Sequence, residues 1–154
     1  MGDEHPIDIL LSDCVIAYVD VLGTTSMLNS SDETRVREFI SNLKAVFQEM
    51  GASDNAKVRI FSDNILIFEE YSEDAVKRIV GMTSQFQYSL VVKYGLLCRG
   101  GILRGLLYYD DNFVIGKGLV DVYKIESEIA QVPRILVDSS IDSSTDSICL
   151  FNDS

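Results

Sequence analysis

Histidine and basic residues are scarce in this sequence. His5 is the one histidine among 154 residues and lies in an acidic lead-in, so we expect no chemistry that depends on histidine as acid or base. Lysine and arginine together number 13 against 24 aspartates and glutamates, which gives a net charge of −11. This balance argues against binding to a nucleic acid polymer or to an anionic membrane surface, because both carry dense negative charge.

Long apolar runs and targeting signals are also lacking. No run approaches the roughly 20 residues that a membrane span needs, and the stretch up to Pro6 has no basic region typical of a signal peptide. Cys14, Cys98 and Cys149 are odd in number and lack zinc-site spacing, so we expect buried, reduced thiols in a cytoplasmic protein. With no repeat and no Gly/Ser-rich linker, the length predicts a single domain over residues 1–154.

The stretch from Asp13 to Thr25 is the most informative part of the sequence. Residues 14–22 are almost wholly apolar and rich in β-branched side chains, which predicts a strand buried on both faces. Asp20 interrupts this run, and a lone carboxylate in an apolar sheet is costly unless it is paired or binds a metal ion. Gly23 ends the strand, so free backbone N–H groups beside Asp20 favour a site for a metal ion and a phosphate. The alternative is an Asp20 side chain hydrogen-bonded to a neighbouring loop.

The rest of the chain alternates between helical and strand patterns. After a lead-in over residues 1–12, an apolar face at helical spacing reaches Met50, with a capping box at Ser30 and Glu33 and a C-cap at Gly51. The later predicted elements are, in chain order, a hairpin of strands 57–62 and 64–68, a helix from Ser72 closed by Gly95, strands 97–109 and 113–115, a helix over 116–130, a strand over 134–137, a surface loop over 139–147 and an edge strand over 148–151.

This order of elements predicts an α+β fold of the ferredoxin-like, β-α-β-β-α-β kind. The sheet is expected to be rich in antiparallel pairs, with helices on one face. In such a core the first strand lies beside the hairpin, so Asp20 and Asp63 can meet at one end of the sheet. An aspartate in a hairpin turn is more often structural, but two converging carboxylates beside a glycine turn suit a site for two divalent cations.

Several segments, taken together, resemble the class III nucleotidyl cyclases, and most of all the short bacterial branch of uridylate and cytidylate cyclases of the Pycsar anti-phage system. The resemblance covers roughly residues 14–138 and depends on the order and spacing of its pieces. These pieces are Tyr18–Gly23, Phe61–Asn64, Arg99–Ile102 with Gly105, Gly116–Glu126 and Pro133–Ile135.

The resemblance implies a role for each matching residue. Asp20 and Asp63 would bind two Mg²⁺ or Mn²⁺ ions, with the Val21 carbonyl as a further ligand. The backbone N–H groups of Leu22, Gly23 and Thr24 would hold the β- and γ-phosphates of a nucleoside triphosphate. Its 3′-hydroxyl would attack its own α-phosphate and expel pyrophosphate, with stabilisation mainly by metal ions and cations. The resemblance also implies a head-to-tail homodimer with two sites between the subunits.

Two departures from the adenylate and guanylate cyclases concern the third predicted helix and the base-reading positions. The helix carries Val120 and Lys124 where those enzymes have an asparagine and an arginine. Lys124 can still neutralise phosphate, without a bidentate fork, or lie on a solvated helix face. Arg59 and Phe113 stand at the base-reading positions. Arg59 could donate to a pyrimidine carbonyl or be an exposed strand residue, and the two changes argue against adenine more than for uracil.

Three functions therefore stand open from the sequence. The first is a pyrimidine nucleotide cyclase acting on UTP or CTP, whose cyclic product would activate a separate effector protein during phage infection. The second is an adenylate or guanylate cyclase of the same fold, and the third is a degenerate cyclase domain that binds nucleotide or only dimerises. The later segments are short for the family, which leaves open whether a C-terminal piece is missing.

Overall fold

A computed structural model describes residues 8–50 and 54–141 as a six-stranded sheet with helices on both of its faces. The strands are β1 (Ser12–Val21), β2 (Lys57–Phe61), β3 (Asn64–Glu70), β4 (Cys98–Tyr109), β5 (Val114–Ile115) and β6 (Ile135–Val137). The helices are α1 (Thr24–Leu28), α2 (Glu33–Glu49), α3 (Glu73–Tyr94) and α4 (Lys117–Lys124), and α4 continues into a π-helical turn, Ile125–Ile129.

Strand β1 lies at the centre of the sheet. The strand order is β2-β3-β1-β4-β5, and β6 pairs with β4 in parallel while every other pair is antiparallel. Side chains alternate along β1, so Val15, Ala17, Val19 and Val21 belong to one apolar cluster and Cys14 and Ile16 to another. The strand is therefore buried on both faces, as its composition predicts.

The two apolar clusters define the layers of the molecule. Helices α2 and α3 cover one face of the sheet, with side chains such as Phe39, Val46 and Phe86 packed against alternate residues of β1 and β3. The predicted α+β fold is confirmed, and the long helices α2 and α3 share one face. The prediction that the helices lie on one face only was wrong, because apolar side chains of α4 and of the π-helical turn cover the other face. The opposite face carries the shorter α4 and the π-helical turn, through Val122 and Ile125. The name α4 face is used below for that side of the sheet.

Strand boundaries differ from the prediction by one or two residues, and two helices differ from it in kind. The cap of α2 is Asp32, whose carboxylate accepts from the Thr34 N–H at 3.0 Å, while the predicted capping residue Ser30 accepts from the Asp32 N–H. The capping-box prediction at Ser30 was therefore wrong by two positions, because Asp32 offers the stronger, charged acceptor. The helix predicted over 116–130 divides into α4 and a π-helical turn.

The predictions for α3 and for two of the cysteines agree with the structure, and several others concern residues outside the described ranges. Helix α3 begins after the Ser72 cap and ends at Gly95, as expected. Cys14 and Cys98 are free and buried, in line with the prediction, whereas Cys149, Gly51 and the edge strand over 148–151 lie outside the described residues, as does most of the loop over 139–147. None of the described helices combines the length and apolar composition that a bilayer crossing requires.

A pair of glycines lets α4 approach the sheet closely. A Cβ atom on Gly105 of β4 would lie 2.8 Å from the Gly118 Cα, and one on Gly118 would lie 3.1 Å from the Gly105 carbonyl carbon. The contact is between backbones, so neither partner can move aside by a change of rotamer. The distance between α4 and β4 therefore depends on both residues lacking a side chain.

We expect Gly105→Ala to lower the free energy of unfolding by about 1–3 kcal/mol, because the added methyl group forces α4 away from β4. Gly81 is the matched control, since it lies in the interior of α3 and a Cβ there meets nothing within 4 Å. Gly81→Ala should stabilise the protein by about 0.5–1 kcal/mol through helix propensity. Urea unfolding of both variants checks the prediction, and an equal effect of the two would contradict it.

Candidate active site

Asp20 lies at the end of the central strand, on the α4 face. Its neighbours Val19 and Val21 pack into the core under α2 and α3, so the alternation of β1 turns the Asp20 side chain to the opposite side. Directly across from it stand Asn64 of β3 and Arg99 of β4. The side chain is 20% exposed, so it keeps limited contact with solvent at the edge of the core.

The turn between β2 and β3 carries Asp63 to the same end of the sheet. Ser62 takes a left-handed conformation there, with φ of 56°, which closes the tight turn. The Asp63 carbonyl accepts from the Val21 N–H at 3.0 Å, and its carboxylate accepts from the Asn64 side-chain amide at 3.3 Å. The turn is thus fastened to the end of β1, and Asp20 and Asp63 come together as predicted.

The pKa of Asp20 reflects both its burial and the nearness of Asp63. Burial raises the pKa of Asp20 to about 7, and the negative charges of Asp63 and Glu126 and a hydrogen bond with Asp63 act in the same direction. Arg99 acts against them and lowers the pKa of Asp20. The group of three acids and one arginine therefore has an excess of negative charge, which a bound cation would offset.

Glu126 is a site residue that the sequence interpretation missed. It lies in the π-helical turn with only 4% of its surface exposed and accepts from the Arg99 Nε at 2.8 Å. The second end of the Arg99 guanidinium lies 3.9 Å from the Asp20 carboxylate. A glutamate next to the apolar Ile125 gives no sign of burial on its own. The signal that could have found it was Arg99, a lone cation paired across the sheet with Asp20.

The glycine turn follows β1 directly. Gly23 has φ of 83° and precedes α1, and a Cβ there would meet nothing within 4 Å, so glycine is needed for its conformation alone. Thr24 is buried, and its hydroxyl donates to the Val21 carbonyl at 3.0 Å. The Leu22 N–H donates to the Leu97 carbonyl at 2.8 Å, so it is not available to a phosphate in this structure. Of the three predicted backbone donors, Gly23 and Thr24 remain.

Arg59 contacts the turn that carries Phe113, the other residue at a predicted base-reading position. Arg59 is exposed on β2, yet its guanidinium lies near the Asp110 carbonyl at 3.4 Å, and the Asp110 N–H in turn donates to the Phe113 carbonyl at 3.0 Å. The hairpin of β4 and β5 therefore reaches over the α4 face towards β2. This approach was not evident from the order of strands, in which β2 and β5 lie at opposite ends.

Val120 and Lys124 lie on the outer surface of α4. Val120 is 54% exposed, and Lys124 is exposed at the last position of the helix. Glu126, two positions later, is by contrast buried next to Asp20. Lys124 is therefore exposed to solvent, whereas Glu126 on the following turn is buried.

The donor set at Asp20 and Asp63 fits a hard divalent cation. Both side chains offer carboxylate oxygens, the donors that Mg²⁺ and Mn²⁺ prefer, and the Val21 carbonyl keeps one lone pair after its bond from Thr24. Within residues 8–50 and 54–141, no group of three or more histidine, cysteine or acidic side chains is placed to hold a metal ion. Two carboxylates suffice for Mg²⁺, because water and substrate phosphates usually complete its coordination.

Comparison with known proteins gives a clear result for the fold. No protein-family model matches the chain, and no curated protein is similar to it in sequence. Among solved structures, the adenylyl cyclase CyaB from P. aeruginosa has a TM-score of 0.63 at 14% identity, covering 86% of this chain and 80% of that one. The guanylyl cyclase Cya2 has a TM-score of 0.62 at 20% identity, covering 86% of this chain and 77% of that one.

A third neighbour is described as a class III adenylyl cyclase-like ATP-binding protein from Pseudomonas aeruginosa. It has a TM-score of 0.62 at 14% identity, over 84% of this chain and 34% of that one. These likenesses are structural, since the identities are low and the TM-scores are 0.62–0.63. The chain therefore has the fold of the catalytic core of class III nucleotidyl cyclases.

Proposed function

We propose that this protein is a pyrimidine nucleotide cyclase, which converts UTP or CTP into the 3′,5′-cyclic nucleotide and pyrophosphate. The observation that carries the proposal is the meeting of Asp20 and Asp63 beside the Gly23 turn, in a chain with the fold of class III cyclase cores. Two carboxylates that lie close enough to repel each other, beside a glycine turn, form a suitable site for a metal–triphosphate complex.

In the proposed mechanism Asp20 and Asp63 would hold two Mg²⁺ or Mn²⁺ ions, with the Val21 carbonyl as a further ligand. When bound, the ions supply positive charge for the 3′-hydroxyl as it loses its proton and for the leaving pyrophosphate. The backbone N–H groups of Gly23 and Thr24 hold the terminal phosphates. The 3′-hydroxyl would give its proton to solvent, and its oxygen would form a bond to the α-phosphorus while the bond from that phosphorus to the bridging oxygen breaks and pyrophosphate leaves.

The choice of a pyrimidine depends on Arg59 and Phe113. Phe113 is 64% exposed and has no side-chain hydrogen-bonding group, so it can stack on a base but cannot read one by donation or acceptance. Arg59 can donate to a pyrimidine carbonyl at C2 or C4. From the sequence resemblance we further propose a cytoplasmic role in anti-phage defence, in which the cyclic nucleotide activates a separate effector protein.

A homodimer with shared sites accounts for the outward direction of Lys124. Exposed apolar side chains accompany it on α4 and on the hairpins: Phe61 at 82%, Ile115 at 62% and Tyr123 at 53%. Large exposed apolar side chains of this kind favour contact with another protein surface. In a head-to-tail dimer Lys124 would neutralise the triphosphate bound by the carboxylates of the partner subunit.

A purine cyclase, or a domain that binds nucleotide without turnover, is the alternative. Solved neighbours include adenylyl and guanylyl cyclases, and one is described only as an ATP-binding protein. Val120 supports the inactive alternative to some degree, since an apolar side chain cannot hydrogen-bond a ribose hydroxyl.

Incubation with Mn²⁺ and each ribonucleoside triphosphate in turn tests the reaction. We expect a cyclic UMP or cyclic CMP peak by mass spectrometry, lost by on the order of 100-fold or more in Asp63→Asn, because the reaction depends on the metal ions. Asp74→Asn removes the same charge at an exposed position of α3 and should keep full activity. Cyclic AMP or cyclic GMP alone would identify a purine cyclase, and the absence of any product would leave a binding domain.

Mixing two inactive variants tests whether sites are shared. Asp63→Asn and Lys124→Ala should each be inactive alone, since each dimer then lacks one half of both sites. Unfolded and refolded together, they should recover about a quarter of the wild-type activity, because half of the dimers are mixed and each has one complete site. No recovery, with dimers present by light scattering, would contradict a site built from two subunits.

The acidity of Asp20 predicts a pH effect on stability in the absence of metal. Its folded pKa is raised, so its protonated form stabilises the folded state at low pH, and this stabilisation is lost as pH rises through about 7. Between about pH 5 and pH 8, in EDTA, the wild type should lose on the order of 1–3 kcal/mol more unfolding free energy than Asp20→Asn. Denaturant unfolding measures the difference, and parallel pH profiles of the two proteins would refute it.

A further inference from the structure

One guanidinium stands between two carboxylates at the candidate site. The Arg99 Nε donates to Glu126 at 2.8 Å, while its terminal nitrogen lies 3.9 Å from the Asp20 carboxylate. The first distance is that of a charge-assisted hydrogen bond and the second is not. Arg99 and Asp20 are directly paired residues of β4 and β1, so the Asp20 carboxylate lies within reach of the guanidinium.

The position of Glu126 is set by the turn that carries it. The α-helical pattern of α4 ends at Lys124, and the wider π-helical turn follows, closed by the Ala130 N–H on the Ile125 carbonyl at 2.8 Å. Ile125 packs against Gly101, where an added Cβ would lie 2.5 Å from the Ile125 side chain. The turn is therefore seated directly on β4, and Glu126 is buried beside the sheet.

A second arginine fastens the far end of the same turn. Arg134 precedes β6, the parallel neighbour of β4, and its guanidinium lies near the Ile129 carbonyl at 3.4 Å. Its backbone carbonyl also accepts from the Gly100 N–H at 2.9 Å. Both ends of the π-helical turn are thus tied to the strand that carries Arg99, so Glu126 has little freedom to move away from its partner.

We propose that Glu126 is a positioning residue that holds Arg99 away from Asp20 and so keeps Asp20 free to bind a divalent cation. The inference rests on the proposed metal site. Arginine stays charged at all relevant pH values. The Arg99 side chain is partly buried, at 32% exposed, so a guanidinium that loses its Glu126 partner is expected to turn to the nearest carboxylate. Without the Glu126 charge that carboxylate is Asp20, and an Asp20–Arg99 ion pair would compete with the metal ion for the same oxygens.

A double-mutant cycle on Mn²⁺ binding tests the proposal without measuring turnover. The wild type, Glu126→Gln, Arg99→Gln and the double variant are titrated with Mn²⁺, and the free ion is followed by electron paramagnetic resonance. Glu126→Gln should weaken binding about tenfold in the wild-type background and less than about twofold in the Arg99→Gln background. Glu128→Gln, at an exposed position of the same turn, is the matched charge control and should bind as the wild type does.

The cycle separates positioning from a simple effect of charge. If Glu126 acted only through its negative field, its replacement would weaken Mn²⁺ binding equally in both backgrounds, and that result would overturn the proposal. If Glu126→Gln does not fold by circular dichroism, Arg99→Gln and the double variant still decide, since a tenfold difference between them would also overturn it. Wild-type protein whose Mn²⁺ binding is unchanged by Asp20→Asn would refute the metal site itself, and the inference with it.

Discussion

Two carboxylates that repel each other are held together here by the backbone. The Val21 N–H donates to the Asp63 carbonyl at 3.0 Å, which fastens the β2–β3 turn to the end of the central strand. Strand pairing on both sides of β1 fixes the backbone positions of Asp20 and Asp63, so the two residues stay close together. Burial first, and then the negative charges of Asp63 and Glu126, raise the pKa of Asp20. A cation bound by the two carboxylates would offset their mutual repulsion, so this arrangement favours cation binding.

The elements on the α4 face place further charged side chains near the two carboxylates. Gly105 and Gly118 let the helix approach the sheet closely, and the π-helical turn brings Glu126 to Arg99. The same helix leaves Lys124 exposed on its outer surface. The π-helical turn thus places a charge near Asp20, and in the proposed dimer Lys124 at the end of α4 would offer a cation to the partner subunit. The glycine contact matters to both, because it sets how far the helix stands from the strand.

Much of the fold followed from residue patterns, since each element is marked by local periodicity. The apolar run of β1, the Ser72 cap and the closing Gly95 are all local signals, and the structure agrees with them. The meeting of Asp20 and Asp63 followed from strand order. Glu126 did not, because its burial depends on the π-helical turn and on a partner on another strand. The engaged amide of Leu22 was missed for the same reason, as Leu97 lies far along the chain.

At the proposed base-reading end of the site, two contacts orient the exposed side chain of Arg59. Arg59 lies against the face of Phe68, with its guanidinium carbon 5.8 Å from the ring centroid, and near the Asp110 carbonyl. Both contacts are weak, so they limit the rotamers of the side chain without using all of its donors. Phe113, in the same hairpin as Asp110, adds an aromatic surface but no hydrogen-bonding group. A base held there would be recognised by stacking and by donation to its carbonyl oxygens, and uracil offers two of these where adenine offers none. In the proposed function, base selection would depend on one side chain that is oriented but still able to donate, and this is the physical argument for proposing a pyrimidine rather than adenine as the base.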